Sequence, residues 1–256
     1  MKWPKIVALG LLALWGMALI QPAPVMGAQE LTVSAAASLT NAFPEIGQGF
    51  EQQHPGTKVI FNCAASGPLL QQIAQGAPVD VFASADQKTM NQAQEKGLIV
   101  PASRKDFVSN TLVLIVPQDS KLALSGLKDL ASAAVKRVAL GNPASVPVGR
   151  YTQEALTKAG LWEALQPKLI MGESVRQVLD YVNRGEVDAG FVFATDAAIA
   201  KGKVKTVTRV QGHQPIVYPV ARVSASPKKE LAQEFLNFLF ASESVAILSK
   251  YGFGKP

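Results

Sequence analysis

The chain has 256 residues and a formal net charge of +6, spread along its length with no basic run and no basic stretch interleaved with aromatics, which argues against nucleic acid as a partner. Its one cysteine, Cys63, rules out an intrachain disulfide, so stability must come from packing. The two histidines, His54 and His213, stand apart without metal-ligand spacing, and no G-x-S-x-G, Walker A or G-x-G-x-x-G motif occurs, which argues against metal catalysis and against the common nucleophile and nucleotide sites.

At the start of the chain, Lys2 and Lys5 precede an uncharged apolar run over 6–20, and a proline-containing stretch then ends in the small residues Gly27 and Ala28. That is the layout of a secretory signal. The run is about 15 residues, shorter than the ~20 of a permanent span, so 1–28 is read as a cleaved signal peptide and the product as periplasmic. No cysteine ends the signal region, which excludes a diacylglyceryl anchor.

From 29 onward, short β-branched or apolar runs alternate with stretches of helical period. The predicted strands are 31–36, 58–61, 81–83, 112–116, 137–140, 168–170, 190–193, 204–207 and 216–223. Leu39, Ala42, Phe43, Ile46 and Phe50 line one face of the first helix, and Val175, Val178, Leu179 and Val182 line a later one. Leu231, Phe235, Phe238 and Leu239 make the C-terminal segment a docked helix. This alternation predicts an α/β fold with largely parallel sheets. Long strand candidates near 110–117 and 216–223 divide the chain. If both cross between lobes, 29–109 and 224–256 form lobe I and 110–223 forms lobe II, crossing segments included, with the ligand in the cleft between them.

Helix starts carry the positive signal, because their first N–H groups lack intrahelical partners and the dipole adds partial positive charge. Four are notable, at Ala37-Ser38-Leu39-Thr40, Ala65-Ser66-Gly67-Pro68, Pro147-Val148-Gly149-Arg150 and Glu173-Ser174-Val175-Arg176, two in each expected lobe. Taken singly, Ser38, Ser66 and Ser174 read as ordinary caps. Two S-x-x-K patterns, from Ser125 and Ser226, also read as caps. Asp80, Asp86 and Asp196 read as caps or strand-end pins, since a carboxylate would repel an anion. Arg150 and Arg176 lie near the proposed donors and read as either exposed or raising the local potential.

The motifs Ala35-Ala36-Ala37-Ser38-Leu39-Thr40-Asn41-Ala42, Gly76-Ala77-Pro78-Val79-Asp80-Val81-Phe82-Ala83-Ser84-Ala85-Asp86, Gly141-Asn142-Pro143-Ala144-Ser145-Val146-Pro147-Val148-Gly149, Glu173-Ser174-Val175-Arg176 and Tyr218-Pro219-Val220 occur in order along the chain. Together with Lys250-Tyr251-Gly252-Phe253 near the end, this set resembles the periplasmic molybdate-binding proteins over essentially the whole chain from 29. The resemblance implies the two-lobed fold of class II periplasmic binding proteins, each lobe a mixed sheet flanked by helices. It also implies molybdate or tungstate as ligand, delivery to the membrane permease of an ABC importer, a monomer, no catalysed reaction and no cofactor.

Carried over by position, Ser38 and Ser66 match serines that donate from hydroxyl and backbone N–H, while Val148 and Val175 match backbone donors. The metal would be held through its oxygens alone, without direct protein–metal bonds. Phe193 departs from the pattern, standing where the family commonly has a tyrosine donor; its ring is expected to wall the cleft without donating. Two other readings stay open: a receptor for sulfate, another oxyanion or a small organic anion, and an exported hydrolase using Ser38 or Ser66 as nucleophile.

Overall fold

The structure is a computed structural model that describes Met1 and residues 29–256. The expected signal peptide over 1–28, apart from its first residue, lies outside the described residues. In chain order the described elements are β1 (Gln29–Ala36), α1 (Ala42–Gln53), β2 (Thr57–Ala64), α2 (Ser66–Ala74), β3 (Val81–Ala83), α3 (Gln87–Glu95), β4 (Lys105–Ser109), β5 (Leu112–Pro117), β6 (Val138–Gly141) and α4 (Pro147–Lys158). There follow α5 (Trp162–Leu165), β7 (Leu169–Gly172), α6 (Val175–Asn183), β8 (Ala189–Phe193), α7 (Ala194–Ile199), β9 (Val204–Arg209), β10 (Val217–Arg222), α8 (Lys229–Phe238) and α9 (Ser242–Lys250).

The strands form two five-stranded sheets, in the orders β2-β1-β3-β10-β4 and β7-β6-β8-β5-β9. Both are mixed. In the first, β1 is parallel to β2 and β3, and β10 runs antiparallel to β3 and β4. In the second, β6 is parallel to β7 and β8, and β5 runs antiparallel to β8 and β9. The antiparallel strands are those next to the two crossings, where the chain enters a new sheet from the opposite direction.

Period-two alternation explains how the first sheet is covered on both faces. Leu31, Val33, Ala35, Val81, Ala83 and Val220 pack with Phe43, Phe50 and Phe235 from α1 and α8. The alternate residues Phe82 and Ala221 pack with Leu69, Leu70, Ile73 and Met90 from α2 and α3. The aromatic ring of Phe43 lies 5.8 Å from Phe61, 6.1 Å from Phe107 and 6.4 Å from Phe235. These contacts tie α8 to α1 and to the first sheet. In the second sheet, Leu112, Val113, Leu114, Ile115 and Val116 are all buried, as befits a strand covered on both faces.

One boundary differs from the expected division. The strand β10 belongs to the first sheet, with Val220 opposite Ala83 and Ala221 opposite Phe82, so 217–222 lies with lobe I and not lobe II. Its apolar run is long because β10 sits between β3 and β4 with both faces covered, a pattern that on paper looks the same as a strand spanning two lobes. The crossings themselves are short, at 110–111 and 210–216, and are tied by Asn110 N–H donating to Ile216 O at 3.0 Å and Val210 N–H to Leu112 O at 2.8 Å. The edge strand β4 was not expected. Only Phe107 and Val108 of its five residues are buried, too few for a periodic signal.

Candidate functional site

Strand ends in both lobes lead straight into helix starts that face each other. The strand β1 enters a single 3₁₀ turn, Ala37–Leu39, and β2 passes through Ala65 into α2, whose first residue is Ser66. Across the cleft, Pro147 and Val148 open α4, where proline is preorganised for a first turn. The helix α6 opens at Val175 behind its cap Ser174, whose hydroxyl accepts from Gln177 N–H at 3.2 Å. Gly149 lets α4 press against the end of β6, since a Cβ there would collide with the carbonyl of Gly141.

Ser38, Ser66, Val148, Val175 and Phe193 come together around one cavity of ≈ 10 Å³, whose other walls are Val146, Pro147 and the small residues Ala36, Ala37, Ala65 and Ala85. Such a volume takes the centre of about one water-sized sphere. A tetrahedral oxyanion of five heavy atoms therefore enters only as the walls move apart, and an extended organic anion needs a far wider opening. No charged side chain lines it. The N–H groups of Ser38, Ser66, Val148 and Val175 have no acceptor among the described residues, as their places at helix starts dictate. All four residues are less than 5% exposed. Buried N–H groups are nearly always paired, so four converging donors call for a ligand rich in acceptors.

The two serines add hydroxyls. Neither is a cap in this fold: Ser66 follows the cap position Ala65, and Ser38 lies inside the 3₁₀ turn. The Ser66 hydroxyl accepts from Ala85 N–H at 2.9 Å, which leaves its own proton free for the cavity. The Ser38 hydroxyl lies 2.8 Å from that of Tyr218. Phe193 is 1% exposed, and its ring meets Tyr218 at 5.9 Å and Tyr151 at 6.4 Å between centroids. Among the residues lining the cavity, only Ser38 and Ser66 carry a hydroxyl, so no side chain there takes over the donor role absent at Phe193.

Both flanking arginines are half-hidden and paired. Arg150 donates through Nε to Asp86 Oδ2 at 2.7 Å and through Nη2 to Thr89 Oγ1 at 2.7 Å, joining α4 to the start of α3 across the cleft. Asp86 also caps α3, accepting from Thr89 N–H at 3.1 Å. Arg176 Nε lies 2.7 Å from Asp196 Oδ1, and Nη2 donates to the Ser38 carbonyl at 3.4 Å. Each cation is thus paired with a carboxylate, and none of these four side chains lines the cavity. Asp80 pins β1 by accepting from Thr32 N–H at 2.8 Å and pairs with Lys228 at 3.2 Å. A further link between lobes is Gly67 N–H to Ser145 O at 3.1 Å.

The remaining sequence candidates take structural places. Ser125 donates to Asp129 at 2.9 Å and Ser226 to Asp80 at 2.7 Å. Neither caps a helix as expected: Gly126 precedes the 3₁₀ turn after Ser125, and α8 begins only after the cap Lys228. His54 and His213 bond the carbonyls of Phe50 at 2.9 Å and Val210 at 3.0 Å. Neither approaches a serine of the cavity as a base. Cys63 packs half-buried against the core, and burial pushes its thiol pKa up.

Asp196 supplies a pH test. Burial pushes its carboxyl up to about 6 from an ordinary 3.8, against the opposing pull of Arg176. A carboxyl raised in the folded state holds its proton where the unfolded chain has released it, so stability from this group falls as pH rises from about 4 to about 6 and is level above. The melting temperature of the wild type minus that of Asp196→Asn should therefore decline over pH 4–6 and stay flat from 6.5 to 8. A difference independent of pH over the lower window would refute the raised carboxyl.

Comparison with known proteins agrees with this architecture. The family model described as bacterial extracellular solute-binding protein matches residues 31–254. The chain is 39% identical over 225 residues to the putative ABC transporter substrate-binding lipoprotein YvgL of Bacillus subtilis, covering 87% of this chain and 85% of that one. It is 38% identical over 234 residues to the molybdate-binding protein ModA of Escherichia coli, covering 88% of each. The solved structure of the Azotobacter vinelandii periplasmic molybdate-binding protein superposes with a TM-score of 0.78 at 27% identity, over 88% of this chain and 99% of that one. With the two mixed sheets, the facing helix starts and a match over nearly all the described residues, the chain belongs to the family of bacterial extracellular solute-binding proteins.

Proposed function

We propose that this chain captures molybdate, and tungstate with it, in the periplasm and presents it to the permease of an ABC importer. The carrying observation is the set of four buried, unpartnered N–H groups, of Ser38, Ser66, Val148 and Val175, around one uncharged cavity. The serine hydroxyls complete the donor set. The molybdate-binding proteins among its relatives support the choice of ligand. The oxyanion is held through its oxygens with no protein atom on the metal, no cofactor takes part, and the receptor acts as a monomer that binds without catalysing a reaction.

The chemistry of the donors explains how such a site discriminates. Hydrogen bonds to an ionised acceptor are short and about twice as strong as neutral ones, and helix starts supply partial positive charge without a mobile cation. A fixed cage fitted to long metal–oxygen bonds leaves the smaller sulfate with stretched contacts. A ligand carrying its own O–H loses a hydrogen bond wherever that proton faces one of the four backbone N–H groups, which cannot accept. Because each lobe holds half the donors, neither binds well alone, and the closed form has the higher affinity.

Three measurements test this reading. Molybdate and tungstate should raise the melting temperature, while sulfate and phosphate at equal concentration should not; equal stabilisation by sulfate would sink the selectivity claim in favour of a general oxyanion receptor. Phe193→Tyr should keep or tighten molybdate binding in calorimetry by adding a donor at the cavity wall, so a large loss would show that the ring serves otherwise. Gly67→Ala places a Cβ against the Ser145 carbonyl of the other lobe and should weaken molybdate at least about tenfold through impaired closure, with the ligand-free melting temperature unchanged. Unaltered affinity in that variant would mean that the lobes close differently.

A further inference from the structure

We propose that Tyr218 is a positioning residue that fixes the polarity of the Ser38 hydroxyl, so that the Ser38 proton is free to donate into the cavity; this rests on the oxyanion reading above. The direction follows from a chain of hydrogen bonds that begins at the crossing between the lobes. Asn110 Oδ1 accepts from Thr111 N–H at 2.9 Å, which orients the amide and turns Nδ2 the other way. The two Nδ2 protons then go to Thr195 Oγ1 at 2.9 Å and to the Tyr218 hydroxyl oxygen at 3.2 Å. With an N–H arriving at its oxygen, the phenol sends its single proton to Ser38 Oγ, 2.8 Å away. Ser38 Oγ is thereby an acceptor on that side, and its own proton points elsewhere, into the cavity that it lines.

The reverse polarity is unfavourable. If Ser38 donated to Tyr218, the phenol proton would have to face the Asn110 N–H or remain without an acceptor in a fully buried site. Tyr218 keeps its proton, because burial raises its pKa well above the ordinary value for a phenol. Its ring is held edge-on by Phe193 at 5.9 Å, Phe253 at 5.7 Å and Phe107 at 6.5 Å, so the hydroxyl has little room to turn away. Ser66 is set in the same sense by a backbone donor, Ala85 N–H. Both hydroxyls of the site are thus committed as donors before a ligand arrives. Each hydroxyl already has one lone pair engaged and its proton free, so the binding step needs no reorientation of either.

The test separates polarity from bulk structure. Molybdate affinity is measured by calorimetry for the wild type, Tyr218→Phe, Ser38→Ala and the double variant. Tyr218→Phe keeps the ring and should bind molybdate roughly 5- to 10-fold more weakly, yet should add almost nothing in the Ser38→Ala background, since the relay acts only through that hydroxyl. Equal losses in both backgrounds would assign Tyr218 a general packing role and overturn the relay, as would an unchanged affinity in Tyr218→Phe alone. Neutron diffraction from deuterated wild-type crystals supplies a readout that needs no ligand. It should place the phenolic deuteron between Tyr218 and Ser38, and a Ser38 deuteron aimed at Tyr218 would overturn the proposal. A wild type that fails to bind molybdate counts against the ligand assignment, while the deuteron position still judges the relay.

Discussion

Burying an N–H group without an acceptor costs about 1–3 kcal/mol, and four such groups converge here on a single cavity. The rest of the molecule is arranged around that convergence. Two sheets aim their strand ends at one another, so the turns that follow present first-turn N–H groups from both sides. Alanines at 36, 37, 65 and 85 keep the walls thin, which lets backbone approach a ligand that larger side chains would hold away. Glycines at 67 and 149 do the same for contacts between backbone segments. A solute that accepts hydrogen bonds on every side removes the penalty at its source, and this couples ligand capture to the closed form.

The charged groups near the cleft follow a different logic. Arg150 and Asp86 meet across it with side chains only 11% and 5% exposed, and burying such a pair removes from water about as much favourable hydration as the contact restores. Arg176 is tied to Asp196 and reaches the Ser38 carbonyl, so its charge steadies the turn that carries Ser38 and leaves the cavity itself uncharged. A receptor that must release its cargo is better served by many moderate, directional donors than by a salt bridge.

Much of this was legible in the residues. The alternation of apolar runs and helical stretches identifies the α/β class, and the position of each candidate donor just after a strand places it at a helix start. Other features were not legible, for identifiable reasons. The run at 216–223 looks like a spanning strand because a strand covered on both faces and one bridging two lobes are equally apolar. The edge strand 105–109 exposes its charged residues and has no period. Ser38 and Ser66 resemble caps because a cap and a first-turn residue differ by a single position, which depends on where the backbone turns.

The sequence by itself determined which groups are available: hydroxyls at 38 and 66, a phenylalanine without a donor at 193, and apolar residues at 148 and 175 whose only polar contribution is the backbone. Those choices are chemical and local, and they do not depend on the partners that folding brings near. Only the tertiary structure decided that the four donors line one cavity, that both arginines are paired with carboxylates, and that Tyr218 stands between Asn110 and Ser38. The residues so joined lie from 20 positions apart, for Arg176 and Asp196, to 180, for Ser38 and Tyr218. Hydrogen-bond direction depends on distances of about 3 Å, and no one-dimensional spacing encodes a distance that the packing of two sheets has to set.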